Sequence, residues 1–184
     1  MLKWLIRNRL AAFEKTYGYD MSYARDLLAW DTGAFLAFAR IQKMGAYRKG
    51  APVAPWYAAK LVGTMAEDCG PCTQLVVTMA IKDKVDPKLL SAVLRRDDAA
   101  LDEDVLLSVQ FARASLAHSP EADALRETIV AKWGERGLIS LAFALTLSRV
   151  YPTLKYALGH GKACQRVVVA GSPVVVARPA SHAA

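Results

Sequence analysis

Two cysteines separated by Gly and Pro, in the run Cys69-Gly70-Pro71-Cys72, are the residues of this chain best suited to chemistry. One helical turn sets positions i and i+3 about 5 Å apart by Cα, a separation that suits a disulfide. Gly70 and Pro71 allow a tight entry into a following helix. A thiol at such an N-terminus faces unpaired N–H groups and the positive end of the helix dipole, and both favour thiolate. The adjacent carboxylates of Glu67 and Asp68 oppose that effect. The chemistry within reach is reversible oxidation, exchange with another disulfide, or attack on a peroxide. The third thiol, Cys164, stands by itself with no His at ligand spacing, which argues against a zinc site. Neither a metal nor a cofactor is expected.

The chain that positions this pair has 184 residues, room for a single helical domain with a substantial core. Hydrophobic residues make up 54% and are rich in Ala and Leu, which predicts tightly packed helices with apolar surface left for a second copy. A homo-oligomer is therefore the expected assembly. The net charge of +7 is concentrated at the two ends: ten Lys/Arg against four Asp/Glu in residues 1–60 and eight against four in 121–184, around a middle of six against nine. No Lys/Arg cluster is interleaved with aromatics, so nucleic acid is not an expected partner. The odd cysteine count argues against a secreted disulfide framework, and Lys3, Arg7 and Arg9 interrupt any apolar signal segment. The longest uncharged apolar runs, such as Leu138–Ser148 and Val167–Ala177, are about half the length that spans a bilayer. The expected compartment is the cytoplasm.

Periodicity supplies the elements. Residues 2–16 read as a basic amphipathic helix with Leu2, Leu5, Ile6, Leu10 and Phe13 on one side, docked on the core rather than laid on a membrane. Tyr17-Gly18-Tyr19 ends it, and Asp20 or Ser22 is placed to cap the next. Residues 22–44 are helical in pattern, with a division at Asp31-Thr32-Gly33, and the Gly- and Pro-bearing stretch 45–55 is a connection. Helices are expected over 56–66 and 72–81, and Asp86-Pro87 opens another to Arg95. Residues 101–118 carry Val105, Val109, Ala112 and Leu116 on one stripe. Ser119-Pro120 opens a helix through Trp133. Residues 138–150 are apolar on nearly every face, the expected central helix, and Pro152 is expected to kink it or divide it from 153–158. The Val-rich tail, about 165–184, fits a short hairpin around Gly171-Ser172-Pro173, or an arm, with its last eight residues frayed. The fold class expected is all-α, a multi-helix bundle with at most a small β-hairpin at its end.

Cys69-Gly70-Pro71-Cys72 is also the active-site tetrapeptide of thioredoxins, but those need a strand before the motif, and both flanks here have helical period. The wider context resembles a different family. The run Gly33-Ala34-Phe35-Leu36-Ala37-Phe38-Ala39-Arg40, the proline-bearing loop, a helix ending in the dithiol, residues 106–117, the run 137–144 and Tyr156-Ala157-Leu158-Gly159 follow in the order found in the alkylhydroperoxidase / carboxymuconolactone decarboxylase superfamily. The resemblance covers roughly residues 30–160. It implies an all-helical fold, homo-oligomeric assembly and a peroxide-reducing dithiol, with Cys72 attacking and Cys69 resolving; the thioredoxin analogy reverses these roles.

Two positions depart from the peroxidase pattern. The His four residues after the second cysteine is here Val76, and the Glu twelve residues before the first is here Tyr57. Valine cannot accept a proton, and tyrosine is a poor base at neutral pH. Gln74 and Thr73 offer hydrogen bonds but no base, His160 between glycines reads as a turn residue, and Trp56 and Trp133 read as packing. Along one straight helix Tyr57 lies about 18 Å from Cys69, so its reach depends on a bend. The function implied is a redox-active dithiol protein using Cys69 and Cys72 for thiol–disulfide exchange or slow peroxide reduction, with a thiol reductant protein as partner. The alternative is a non-catalytic helical oligomer of the same family acting as a binding or structural protein.

Overall fold

The computed structural model describes residues 1–161 and 166–177, and Cys164 and the chain end beyond 177 lie outside them. The architecture is all-α with a short antiparallel hairpin near the C-terminus. The helices are α1 (Leu2–Tyr17), α2 (Ser22–Trp30), α3 (Thr32–Arg40), α4 (Gln42–Gly45), α5 (Val53–Ala66), α6 (Gly70–Lys82), α7 (Pro87–Arg95), α8 (Glu103–Leu116) and α9 (Glu121–Ala157). The strands are β1 (Arg166–Val169) and β2 (Ser172–Val175).

Local chemistry sets most boundaries. Asp31 ends α2 in extended backbone and caps α3, its carboxylate accepting from the Gly33 and Ala34 amides. Asp86 caps α7 before Pro87 in the same way, and Asp102 caps α8 by accepting from Val105 N at 2.8 Å. Asp20 serves α2 by accepting from Ser22 N at 2.8 Å. The hairpin turns at Ala170-Gly171, both at positive φ, with Val167 opposite Val174. Two left-handed residues give the twist that short hairpins favour, so Ser172 and Pro173 pair in β2 rather than forming the turn.

Helix α5, not the 138–150 segment, is the central element. Ten of its fourteen residues are buried, and it packs against α6, α8 and α9. Ala58, Ala59 and Gly63 let the partners approach closely. A Cβ on Gly63 would collide with Ser148 Oγ and lie 2.8 Å from the Leu145 carbonyl. The second half of α9 packs on α5 with Leu141, Ala144 and Leu145, but it leaves Ile139, Thr146 and Arg149 exposed. Apolar composition all round did not bring burial all round.

Pro152 does not divide α9 from 153–158, because it sits inside a helical stretch that runs on to Ala157. The break lies at Gly134 (φ 70, ψ 175), where only glycine reaches that backbone without strain. Among the described helices α9 alone is long and apolar enough, by length and composition, to cross a membrane.

Candidate functional site

The described core falls into two clusters. The larger joins α5, α6, α7, α8, α9 and the hairpin and is mainly aliphatic, with Trp56, Tyr57 and Phe111 as its buried aromatic residues. The smaller is built by α1, α2 and α3 over the start of α6, from Leu10, Tyr19, Met21, Tyr23, Leu28 and Phe35, and it contains both cysteines.

Asp68, at φ 46, turns the chain after α5, and Cys69 follows in extended backbone as the residue capping α6. Cys72 lies in the first turn of that helix, and the two form a disulfide with Cα atoms 5.3 Å apart. The Thr73 amide (2.9 Å) and its Oγ1 (3.0 Å) both donate to the Cys69 carbonyl and fix this turn. Cys69 and Cys72 are 1% and 4% exposed, so neither meets bulk solvent directly. Cys72, however, lines a cavity of about 680 Å³ whose walls include α1, α3, α5, α6 and α9, and Cys69 does not.

Sequence reasoning missed the groups that face Cys72. Tyr19 Oη lies 3.5 Å from Cys72 Sγ, and Lys155 Nζ lies 3.3 Å from the same Oη. Tyr19 and Lys155 are 5% and 3% exposed. The donor directions follow from chemistry. A disulfide sulfur carries no hydrogen, so Tyr19 donates to Cys72, and the Tyr19 oxygen accepts from Lys155 Nζ. Lys155 Nζ also lies 4.6 Å from the Tyr19 ring centroid and 5.5 Å from that of Tyr23. Burial pushes the Tyr19 phenol well above its ordinary range, although a hydrogen bond with Tyr23 works the other way, so Tyr19 keeps its proton at neutral pH. Burial likewise raises Tyr23, and Tyr151 is pushed up to about 12.

Glu67, read above as opposing thiolate, is occupied elsewhere. Its carboxylate accepts from Arg149 Nε at 2.6 Å and from Thr153 Oγ1 at 3.1 Å, so its charge is largely offset. The two positions that depart from the peroxidase pattern, Tyr57 and Val76, both line the cavity wall with Cys72, because α6 folds back along α5 rather than continuing it. Neither supplies a base: the Tyr57 hydroxyl donates to Asp83 Oδ2 at 2.7 Å, and burial holds its phenol well above the usual range.

The other polar candidates have structural partners. Gln74 pairs its amide with the backbone of Val168, at 3.0 and 2.7 Å, and ties the hairpin to α6. His160 Nδ1 meets Ser22 Oγ, and Nε2 meets Asp26 Oδ2, both at 3.2 Å. Trp56 is buried and donates to the Tyr47 carbonyl at 3.1 Å, and half-buried Trp133 packs against the larger core. Among the described residues no three His, Cys, Asp or Glu side chains come together as a metal site.

A signal for Lys155 was present in the sequence. It continues the buried stripe Gly137, Ser140, Leu141, Ala144, Ser148, Pro152 at helical spacing, so a lysine there had to be interior and partnered. Tyr19 carried no such signal, since it lies in the irregular link between α1 and α2. No protein-family model, curated protein or solved structure matches the chain.

Proposed function

We propose that this is a redox-active dithiol protein in which Cys72 meets its substrate through the cavity and Cys69 closes the disulfide behind it. The observation that carries the reading is the buried line Lys155–Tyr19–Cys72. In the reduced protein a phenol proton aimed at Cys72 Sγ, backed by an ammonium, stabilises thiolate over thiol. The first turn of α6 adds its unpaired amides. These groups supply in another form what Val76 and Tyr57 lack. The helical fold and the dithiol at a helix start agree with what the resemblance to the alkylhydroperoxidase superfamily implies.

With a small peroxide, the Cys72 thiolate attacks one oxygen and the O–O bond breaks. The alcohol leaves with a proton, and Cys72 carries the other oxygen as sulfenic acid. The Cys69 thiol then attacks that sulfur, the S–S bond forms, and water leaves with the Cys69 proton. The dithiol has lost two electrons and the peroxide has gained them. A thiol reductant, protein or small molecule, restores the pair by exchange. A disulfide substrate would enter the same cycle at the exchange step, with Cys72 as the attacking thiolate.

Peroxide consumption should be followed with excess dithiol reductant in the parent, in Cys72→Ser and in Cys69→Ser. Turnover is expected in the parent and abolished in Cys72→Ser. Cys69→Ser, reduced beforehand and freed of reductant, should give one oxidation event per chain and leave a Cys72 sulfenic acid that dimedone labels. A parent dithiol that stays reduced under mild oxidation would overturn the reading in favour of a non-catalytic role.

A further inference from the structure

The cavity holds a second charged group, which the dithiol chemistry does not use. Lys60, on α5, lines the same wall as Cys72 and is half-buried. Its Nζ donates to the Gly45 carbonyl at 2.9 Å and sits 3.4 Å from the centroid of the Trp56 ring. Among the described residues no carboxylate forms an ion pair with it. Asp83 acts on it only from farther off and is already the acceptor for Tyr57. Three N–H donors with one acceptor leave two unspent.

Two other polar side chains on this wall are bonded to carbonyls of their own helices. Thr64 Oγ1 donates to the Leu61 carbonyl at 3.1 Å and Ser148 Oγ to the Leu145 carbonyl at 2.8 Å. Much of the remaining surface is aliphatic or aromatic, including Leu10, Phe13, Phe35, Leu75, Met79 and Leu147. A site of this volume and apolarity, with one convergent charge, has the form of a small-molecule pocket. Half-burying a cation without an anion is unfavourable, and here burial pushes the Lys60 amine down to about 7.

We propose that this cavity binds a single-chain amphiphile with a carboxylate head, the carboxylate pairing with Lys60 and the hydrocarbon lying along the apolar wall that includes Cys72. One positive charge with two free N–H donors matches a carboxylate, which brings one negative charge and two acceptor oxygens. A phosphate dianion would bring a second charge with no second buried cation on the cavity wall to meet it. Arg9, exposed at the α1 rim, adds positive potential at the mouth. Entry is by α1, the least embedded wall: Leu10 is its one buried residue, while Leu2 and Leu5 are 54% and 48% exposed.

Binding of the acid does not require the dithiol to be redox-active, so the two proposals fail separately. Dodecanoate, dodecanol and dodecyltrimethylammonium should be titrated calorimetrically, below their aggregation limits, into the parent, Lys60→Met and the Cys69→Ser/Cys72→Ser double variant. The parent should bind dodecanoate at least tenfold more tightly than dodecanol, with the cationic amphiphile weakest. Lys60→Met should lose that preference while holding dodecanol unchanged, and the double variant should keep it. Equal binding of acid and alcohol by the parent, or binding of neither, overturns the proposal, and this comparison does not depend on any variant folding. A preference that survives in Lys60→Met overturns it as well.

Discussion

The two faces of α6 meet different environments. One face carries Val77 and Ala80 into the larger core, where tightly packed aliphatic side chains leave little that titrates. The other presents Cys72 to a smaller cluster of Tyr, Phe, Leu and Met, beside a buried lysine and an open cavity. The first region is held by close packing between regular helices, as at Gly63 against Ser148. The second is assembled from an irregular link, the end of a long helix and the least embedded helix of the chain. The proposed chemistry thus lies on the side of this helix opposite the main core. Substitutions on the two sides should be separable: core changes should move stability without moving the thiol, and changes in the smaller cluster should do the reverse.

The largest expected effect is in the core. Gly63→Ala places a methyl against Ser148 and the Leu145 carbonyl, and overpacking of this kind costs about 1–3 kcal/mol. Urea unfolding should show that loss, with the iodoacetamide reaction of the reduced thiols keeping its pH midpoint. A midpoint that moves with Gly63→Ala would show the two regions to be coupled.

On the other side, Lys155→Met removes the ammonium that backs Tyr19 and keeps the side-chain length. Cys72 thiolate loses its support, so the alkylation midpoint of the reduced protein should rise by about one pH unit, and peroxide turnover near neutral pH should fall about tenfold. Tyr19→Phe should act in the same direction, and because both work through one line, the double variant should be little worse than either single one. Fully additive losses would mean that Lys155 acts on Cys72 by another route.

The smallest effect expected is a gain. Val76 lines the cavity one turn after Cys72, so Val76→His brings an imidazole to the same wall. Turnover should rise only a few-fold, since Tyr19 and Lys155 already favour the thiolate. A gain of a hundredfold would show that they contribute little.

The sequence alone determined the helical class, most helix boundaries and a cysteine pair spaced for a disulfide. These depend on short-range physics: the 3.6-residue period, caps such as Asp31, Asp86 and Asp102, and a Cys-to-Cys spacing of one turn. It also marked Asp31 as a division, because a carboxylate that accepts from the next amides competes locally with the helix. Which helix is central was decided by tertiary packing, because small residues in α5 admit close neighbours on every side while an all-apolar α9 segment keeps an exposed face. Only the tertiary structure brought Tyr19 and Lys155, 136 positions apart, to one phenol oxygen beside Cys72. Only the return of α6 along α5 put Lys60 and Cys72 on one cavity. Contacts between residues so far apart in the chain carry no periodic or local signature, since they are fixed by how whole elements pack and not by any preference of the residues themselves.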